Sequence, residues 1–200
     1  MEQALVYLGT VTFAVTGALA AVRKRFDVVG VVVLATVTAV GGGSIRDVVA
    51  GIVPPASLRD ETLLWLVVAS GLAVFALHRF VPTGRTLYVF DTISLGLFAA
   101  LGAERGVAVD FGFWGTVFAG AVSGVGGGVI RDVLTGEVPG VLYRSGDFYA
   151  TAAAAGAAVS YLLQPAGATV ALVAGAVVTV GVRVGSRLVG LELPVPRTEA

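Results

Sequence analysis

Apolar residues run through this chain in long blocks separated by short polar or turn-forming clusters. Seven blocks stand out: Leu5–Val22, Val28–Ala50, Leu63–Leu77, Thr86–Gly102, Phe111–Leu134, Phe148–Leu163 and Ala168–Val189. Roughly 20 apolar residues span a bilayer as a helix. The pattern therefore predicts an all-α integral membrane protein with seven transmembrane helices. The connections between blocks, 23–27, 51–62, 78–85, 103–110, 135–147 and 164–167, are too short for a second domain, so residues 1–200 form one transmembrane domain. Composition agrees, with 56% hydrophobic and 13% charged residues, whereas soluble domains carry roughly a quarter charged. The mean hydropathy is +0.93.

Charge placement sets an expected orientation. Arg23, Lys24, Arg25, Arg79, Arg85, Arg144, Arg187 and Arg197 fall on connections one, three and five and on the C-terminal tail, against Arg59 and Arg105 on the other side. The positive-inside rule then puts the N-terminus outside and the C-terminus in the cytoplasm. The first block follows Glu2 and precedes Arg23, Lys24 and Arg25, the reverse of a signal peptide's flanks, so it is expected to be a retained helix.

The blocks also repeat. "GGGSIRDVVAGIVP" at 41–54 and "GGGVIRDVLTGEVP" at 126–139 lie 85 residues apart and agree at ten of fourteen positions. The same offset pairs Phe13 with Phe98, Ala14 with Ala99, Gly17 with Gly102, Gly30 with Gly115 and Arg59 with Arg144. The repeats cover about residues 1–80 and 86–165, leaving a seventh helix at about 167–190. A unit of three spans ends across the membrane from where it began, so the second copy must be inserted upside down. Inverted repeats of this kind place functional sites where the two halves meet.

Candidate functional residues follow from the duplicated motif. The triplets Gly41, Gly42, Gly43 and Gly126, Gly127, Gly128 sit within spans two and five, where a kink or unwinding would free backbone carbonyls to line a wet pathway. Close helix packing by small residues is the competing reading, and both can hold. Arg46, Asp47, Arg131 and Asp132 are ionisable groups inside spans and so should face a bundle interior or water. Neighbours in a helix do not face each other, so each Arg and the Asp after it should find partners elsewhere or straddle a wet lumen. Asp91 matches Arg131 in depth and is expected to contact it. Its counterpart in the first repeat is Val6, which leaves Arg46 without the same anchor. Ser123 joins Thr10, Thr12, Thr16, Thr36, Thr38, Thr92 and Ser94 as polar positions on spans one, two, four and five, as interhelical hydrogen bonds or pathway ligands.

Other chemistry is thinly represented. The chain has one histidine, His78, at the end of an apolar block, and no cysteine, so no Cys-ligated metal and no disulfide. No strand precedes "GVGGG" and no Lys-Ser/Thr follows it, which excludes a nucleotide loop. No basic patch suggests nucleic acid, and no catalytic triad or metal cluster suggests an enzyme. A channel, a secondary transporter of a small solute such as glycine, and a scaffold whose glycines only pack helices all remain open on these patterns.

"GGGSIRD" and "GGGVIRD", the three-plus-three-plus-one span order and the short chain resemble the trimeric intracellular cation channel family, whose prokaryotic members have also been grouped under a "glycine transporter" domain. The resemblance covers nearly the whole length. It implies a homotrimer in the cell membrane, with a monovalent-cation pathway in each subunit permeable to potassium and sodium. That pathway would be bounded by spans one, two, four and five, with bends at Gly41–Gly43 and Gly126–Gly128 and with Arg46, Asp47, Arg131 and Asp132 beside it. No cofactor is implied beyond the permeant ions. With Lys24 the single lysine, the lysine-rich lipid-binding features of animal members have no counterpart.

Overall fold

The computed structural model describes residues 2–81, 83–142 and 148–193. Seven α-helices follow one another: α1 Glu2–Arg23, α2 Val28–Val49, α3 Glu61–Leu77, α4 Thr83–Ala108, α5 Phe113–Leu134, α6 Tyr149–Leu162 and α7 Ala168–Val189. No strand occurs among the described residues. Six helices are long and apolar enough to cross a membrane unaided. The exception, α6, has 14 residues, or about 21 Å at 1.5 Å per residue. The α4 helix runs further at both ends than the apolar block, because Gly84, Arg85 and Glu104 continue the helix although they interrupt the hydropathy.

Polar residues at the helix ends explain where the helices start and stop. Asp27 opens α2 by accepting the Gly30 N–H at 2.7 Å, and Asp60 opens α3 by accepting that of Leu63 at 3.0 Å. Both α2 and α5 close on a glycine with positive φ, Gly51 at 73° and Gly136 at 71°. At each, the glycine N–H reaches back to Val48 or Val133, and the next N–H, of Ile52 or Glu137, reaches the carbonyl of Asp47 or Asp132. This pair of bonds needs a left-handed residue, which glycine adopts without steric cost. It explains why the repeated motif keeps a glycine four residues after its Asp.

The two halves, α1–α3 and α4–α6, repeat in space as they do in sequence. A side chain on Gly17 would strike the Leu34 carbonyl at 2.6 Å, and one on Gly102 would strike the Ala119 carbonyl at 2.8 Å. The two contacts are related by the 85-residue offset. Arg25 and Asp110, also one offset apart, both take positive φ at the end of the first helix of each half.

The halves meet through α1 against α4 and α2 against α5, each pair antiparallel. Phe13 stacks on its own repeat mate Phe98 at 5.2 Å between ring centroids. The unpaired α7 packs on α4 and α6. The second half is therefore covered on a face that the first half leaves open.

Candidate functional site

Both α2 and α5 run unbroken through their glycine triplets, so the expected opening of the backbone at those positions is not seen. The middle glycines serve a close crossing instead. A Cβ on Gly42 would lie 2.5 Å from the Ser123 carbonyl, and one on Gly127 would collide with the Thr38 carbonyl. Gly41 faces Ile130 of the other motif, while a Cβ on Gly126 would lie 2.8 Å from the Gly42 Cα, with Ile45 further off at 3.9 Å. The third glycines differ from each other. Gly43 has open space apart from the Arg46 guanidinium at 3.7 Å, while a Cβ on Gly128 would meet the Tyr149 hydroxyl at 2.5 Å.

The Arg-Asp pairs depart from the expectation that neighbours on a helix cannot meet. Arg46 bonds Asp47 through Nε at 3.0 Å and through a terminal nitrogen at 2.6 Å, and Arg131 Nε bonds Asp132 at 2.9 Å. The spacing rule concerns Cβ directions, and an arginine is long enough to fold back over the short aspartate beside it. Each aspartate then uses its other oxygen to hold the chain beyond the helix, Asp47 accepting the Ala56 N–H at 2.9 Å and Asp132 the Gly140 N–H at 3.2 Å. The pairs clamp the helix ends as well as placing charge.

Beyond this shared clamp the halves diverge. The expected Asp91–Arg131 contact is present at 2.7 Å. Asp91 is buried, and its second oxygen accepts from Arg183 of α7 at 2.8 Å. Arg183 also lies over the rings of Tyr149 and Tyr88, at 4.5 and 5.1 Å. Arg46, with Val6 in place of an aspartate, donates to Ser123 on α5 at 3.0 Å. It is therefore held by Asp47 and Ser123 rather than left loose.

Two cavities enter the bundle from opposite ends. The first, of about 210 Å³, is bordered by Glu2, Gly43, Arg46, Asp47, Asp60 and Arg105 and reaches as deep as Ala39 and Val40. The second, of about 60 Å³, is bordered by Ala20, Leu87, Arg131, Asp132 and Glu137. Four pairs of these residues, Glu2 with Leu87, Arg46 with Arg131, Asp47 with Asp132 and Arg105 with Ala20, are one repeat offset apart, so the cavities are themselves related. Between them lie the Phe13–Phe98 stack and the Gly42–Gly127 crossing. At the second mouth Lys24 pairs with Glu137 at 3.0 Å, and that hydrogen bond holds the Glu137 carboxyl below the ordinary glutamate range.

Most of the buried and half-buried hydroxyls predicted on these spans serve their own helices. Thr16, Thr36, Thr38 and Thr92 each donate to a carbonyl three or four residues back, a common use of Thr inside helices. Ser94 crosses between halves to Thr12 at 2.8 Å. Arg183 and Tyr149 were not singled out by the sequence. An arginine within the apolar block of α7 was the available signal for the first; nothing in the pattern marked the second. Arg144 and Arg197 lie outside the described residues.

These features define a multi-pass membrane protein of the inverted-repeat class. The family model described as "Glycine transporter" matches residues 3–79 and again residues 88–165, once for each half. A UPF0126 membrane protein of Deinococcus radiodurans is 49% identical over 192 residues, 95% of this chain and 89% of its own. The UPF0126 inner membrane protein YadS of Escherichia coli K12 is 35% identical over 94% of this chain and 92% of its own. Among solved structures, one described under conductance through TRIC cation channels superposes with a TM-score of 0.90 at 37% identity, covering 99% of this chain and 98% of that one. The TRIC trimeric intracellular cation channel orthologue from Rhodobacter sphaeroides superposes at 0.87 with 35% identity, covering 95% and 98%. The chain belongs to the TRIC channel family, whose sequence model carries the glycine transporter description.

Proposed function

We propose that this protein is a potassium-permeable channel for monovalent cations, assembled as a homotrimer with a pathway in every subunit. The observation that carries the reading is the pair of repeat-related cavities, each bordered by charged residues, entering the α1, α2, α4 and α5 bundle from opposite ends. A translocation pathway needs water access from both sides, and here both approaches reach the duplicated Arg-Asp pairs, the first continuing past Gly43. The solved neighbours, alike over nearly the whole chain, are described as cation channels and one of them as trimeric, which supports the same reading here.

On this reading the pathway passes Gly43, Arg46 and Ser123, is closed at the Gly42–Gly127 crossing, and leaves beside Arg131 and Asp132. Permeant potassium or sodium needs no further cofactor. The N-terminus and the Arg46 cavity face outside, and the Arg131 cavity faces the cytoplasm. Arg23, Lys24, Arg25, Arg79, Arg85 and Arg187 at one end, against Arg59 and Arg105 at the other, support that orientation.

Recording from the purified protein in planar bilayers under a potassium chloride gradient tests the function. Discrete current steps reversing near the potassium potential are expected. A bilayer silent at all voltages, together with saturable glycine uptake into vesicles, would replace the channel with a carrier.

A further inference from the structure

The two cavities are related by the repeat, yet one reaches two helical turns deeper than the other. On the Arg46 side the opening extends along α2 past Gly43 to Val40 and Ala39. The corresponding residues on α5 are Gly128, Val125 and Gly124, and none of them borders the second cavity, which stops at Arg131. Beside the third glycine one side chain makes the difference, whereas deeper down Gly124 packs directly on Leu95 and Ala99 of α4. The space that Gly43 leaves open is filled at Gly128 by the phenol of Tyr149, whose hydroxyl sits 2.5 Å from where a Cβ would stand. Tyr149 also packs against Val125 and its neighbours Leu95, Ala99 and Ala153. Its repeat mate is Leu64, which packs in the core of the first half and does not come within 4 Å of a Cβ on Gly43.

Two further observations suggest that this filling is a position Tyr149 can leave. Its hydroxyl is buried with no hydrogen-bond partner among the described residues, an arrangement that is unfavourable and that exposure to water would relieve. Tyr149 is also the first residue of α6, where a side chain is not locked between two helical turns. The Arg183 guanidinium, held by Asp91, stacks on the ring at 4.5 Å, giving the filled position a defined seat.

We propose that Tyr149 is the plug of the Arg131-side half-pathway, and that its withdrawal from Gly128 extends the smaller cavity to Val125, making it the equivalent of the larger one. The plug rests on the channel reading for its consequence on current but not for its effect on water access. The structure thus holds one half-pathway open and its repeat closed, and Tyr149 distinguishes them.

The chain contains no cysteine, so single thiols can report access. Val125→Cys is placed in the otherwise unchanged protein and in Tyr149→Leu and Tyr149→Ala backgrounds. Each is reconstituted in vesicles and treated from the Arg131 side with a charged, membrane-impermeant methanethiosulfonate. Val40→Cys, treated from the Arg46 side, is the control. With Tyr149 intact, the thiol of Val125→Cys should react far more slowly than that of Val40→Cys. Replacing Tyr149 by leucine, the residue that the other repeat carries, should speed the Val125→Cys reaction about tenfold or more, about 1.4 kcal/mol in the closed-to-open balance, without changing that of Val40→Cys.

Three results would overturn the plug. They are protection of the Val125→Cys thiol in both backgrounds while the proteins remain folded by size exclusion and melting, equal acceleration of both thiols, or full reactivity before any change at Tyr149. Potassium current separates this from the channel reading. Exposure of the Val125→Cys thiol with no current in any variant keeps the plug and removes the channel, whereas current with that thiol still protected keeps the channel and removes the plug.

Discussion

At the Arg46 end, a guanidinium held by one aspartate and one serine borders a cavity of about 210 Å³. At the Arg131 end, the equivalent guanidinium is shared into a buried cluster with Asp91, Asp132 and Arg183, and the cavity shrinks to about 60 Å³. The charge at the two mouths also differs in sign. Glu2, Asp47 and Asp60 face Arg46 and Arg105 at the first, while Arg23, Lys24 and Arg131 face Asp132 and Glu137 at the second. The motif itself is the same in both places, down to the arginine folded onto its aspartate and the left-handed glycine that follows. What the motif builds is therefore the frame, two clamped helix ends and a close crossing. The behaviour of each half is decided by residues with no counterpart in the other: Asp91 for Val6, Tyr149 for Leu64, and Arg183 from a helix outside the repeat.

Removing Asp91 should break the comparison most severely. Asp91→Asn takes away the carboxylate that both Arg131 and Arg183 bond, and loss of one partner from a buried ionic cluster costs about 3–5 kcal/mol. Arg46→Gln unpairs a single buried carboxylate, Asp47, which keeps the Ala56 N–H, and should cost less, about 2–3 kcal/mol. Thermal unfolding in detergent checks both, and equal losses would mean that the two arginines are held alike after all.

The crossing comes next. Gly42→Leu and Gly127→Leu each drive a side chain into backbone of the other helix, where nothing can rotate away, for about 3 kcal/mol or more. Gly43→Ala, facing open space, should be close to neutral, while Gly128→Ala must displace the Tyr149 hydroxyl. If Gly43 and Gly128 tolerate alanine equally in melting experiments, the asymmetry at the third glycine is not real.

The smallest effect belongs to Lys24 and Glu137, a pair with no equivalent at the other mouth, where Val109 and Ile52 stand. Because the Glu137 carboxyl is held below its usual range, its contribution is present above about pH 4.3, the ordinary glutamate value, and fades as the pH falls through the lowered folded-state value. Half of the Glu137 side chain is exposed, so solvent and salt should hold the loss in Glu137→Gln below about 1 kcal/mol. A melting difference from the parent that vanishes at acid pH and in high salt is the expected outcome, and a difference that persists in both would rule out the ion pair as its source.

Much of this organisation was legible in the sequence, because membrane helices announce themselves by length and hydropathy and a 14-residue motif repeated 85 residues on leaves little room for chance. The Asp91–Arg131 contact could be read from depth alone, since a buried charge requires an opposite one nearby. Other features were hidden for physical reasons. Helical spacing rules describe Cβ directions and say little about a side chain as long as arginine, so the Arg46–Asp47 and Arg131–Asp132 pairs went unforeseen. Glycine triplets permit either unwinding or close approach, and composition does not choose between them; the facing backbone of the other helix does. Arg183 lies outside the repeat, so symmetry could not point to it, and Tyr149 matters only because its ring finds the gap above a glycine on another helix.

The contacts where Phe13 meets Phe98 and Gly42 meets Gly127 each join a residue to its own repeat mate. In an assembly of two identical chains such contacts lie on the twofold axis and are self-complementary. A three-helix unit inserted in both orientations would thus already carry the surface that recognises itself, and the present chain amounts to an antiparallel homodimer made covalent. Once joined, the two copies were free to differ off the axis, and even on it a change now alters only one side of the contact.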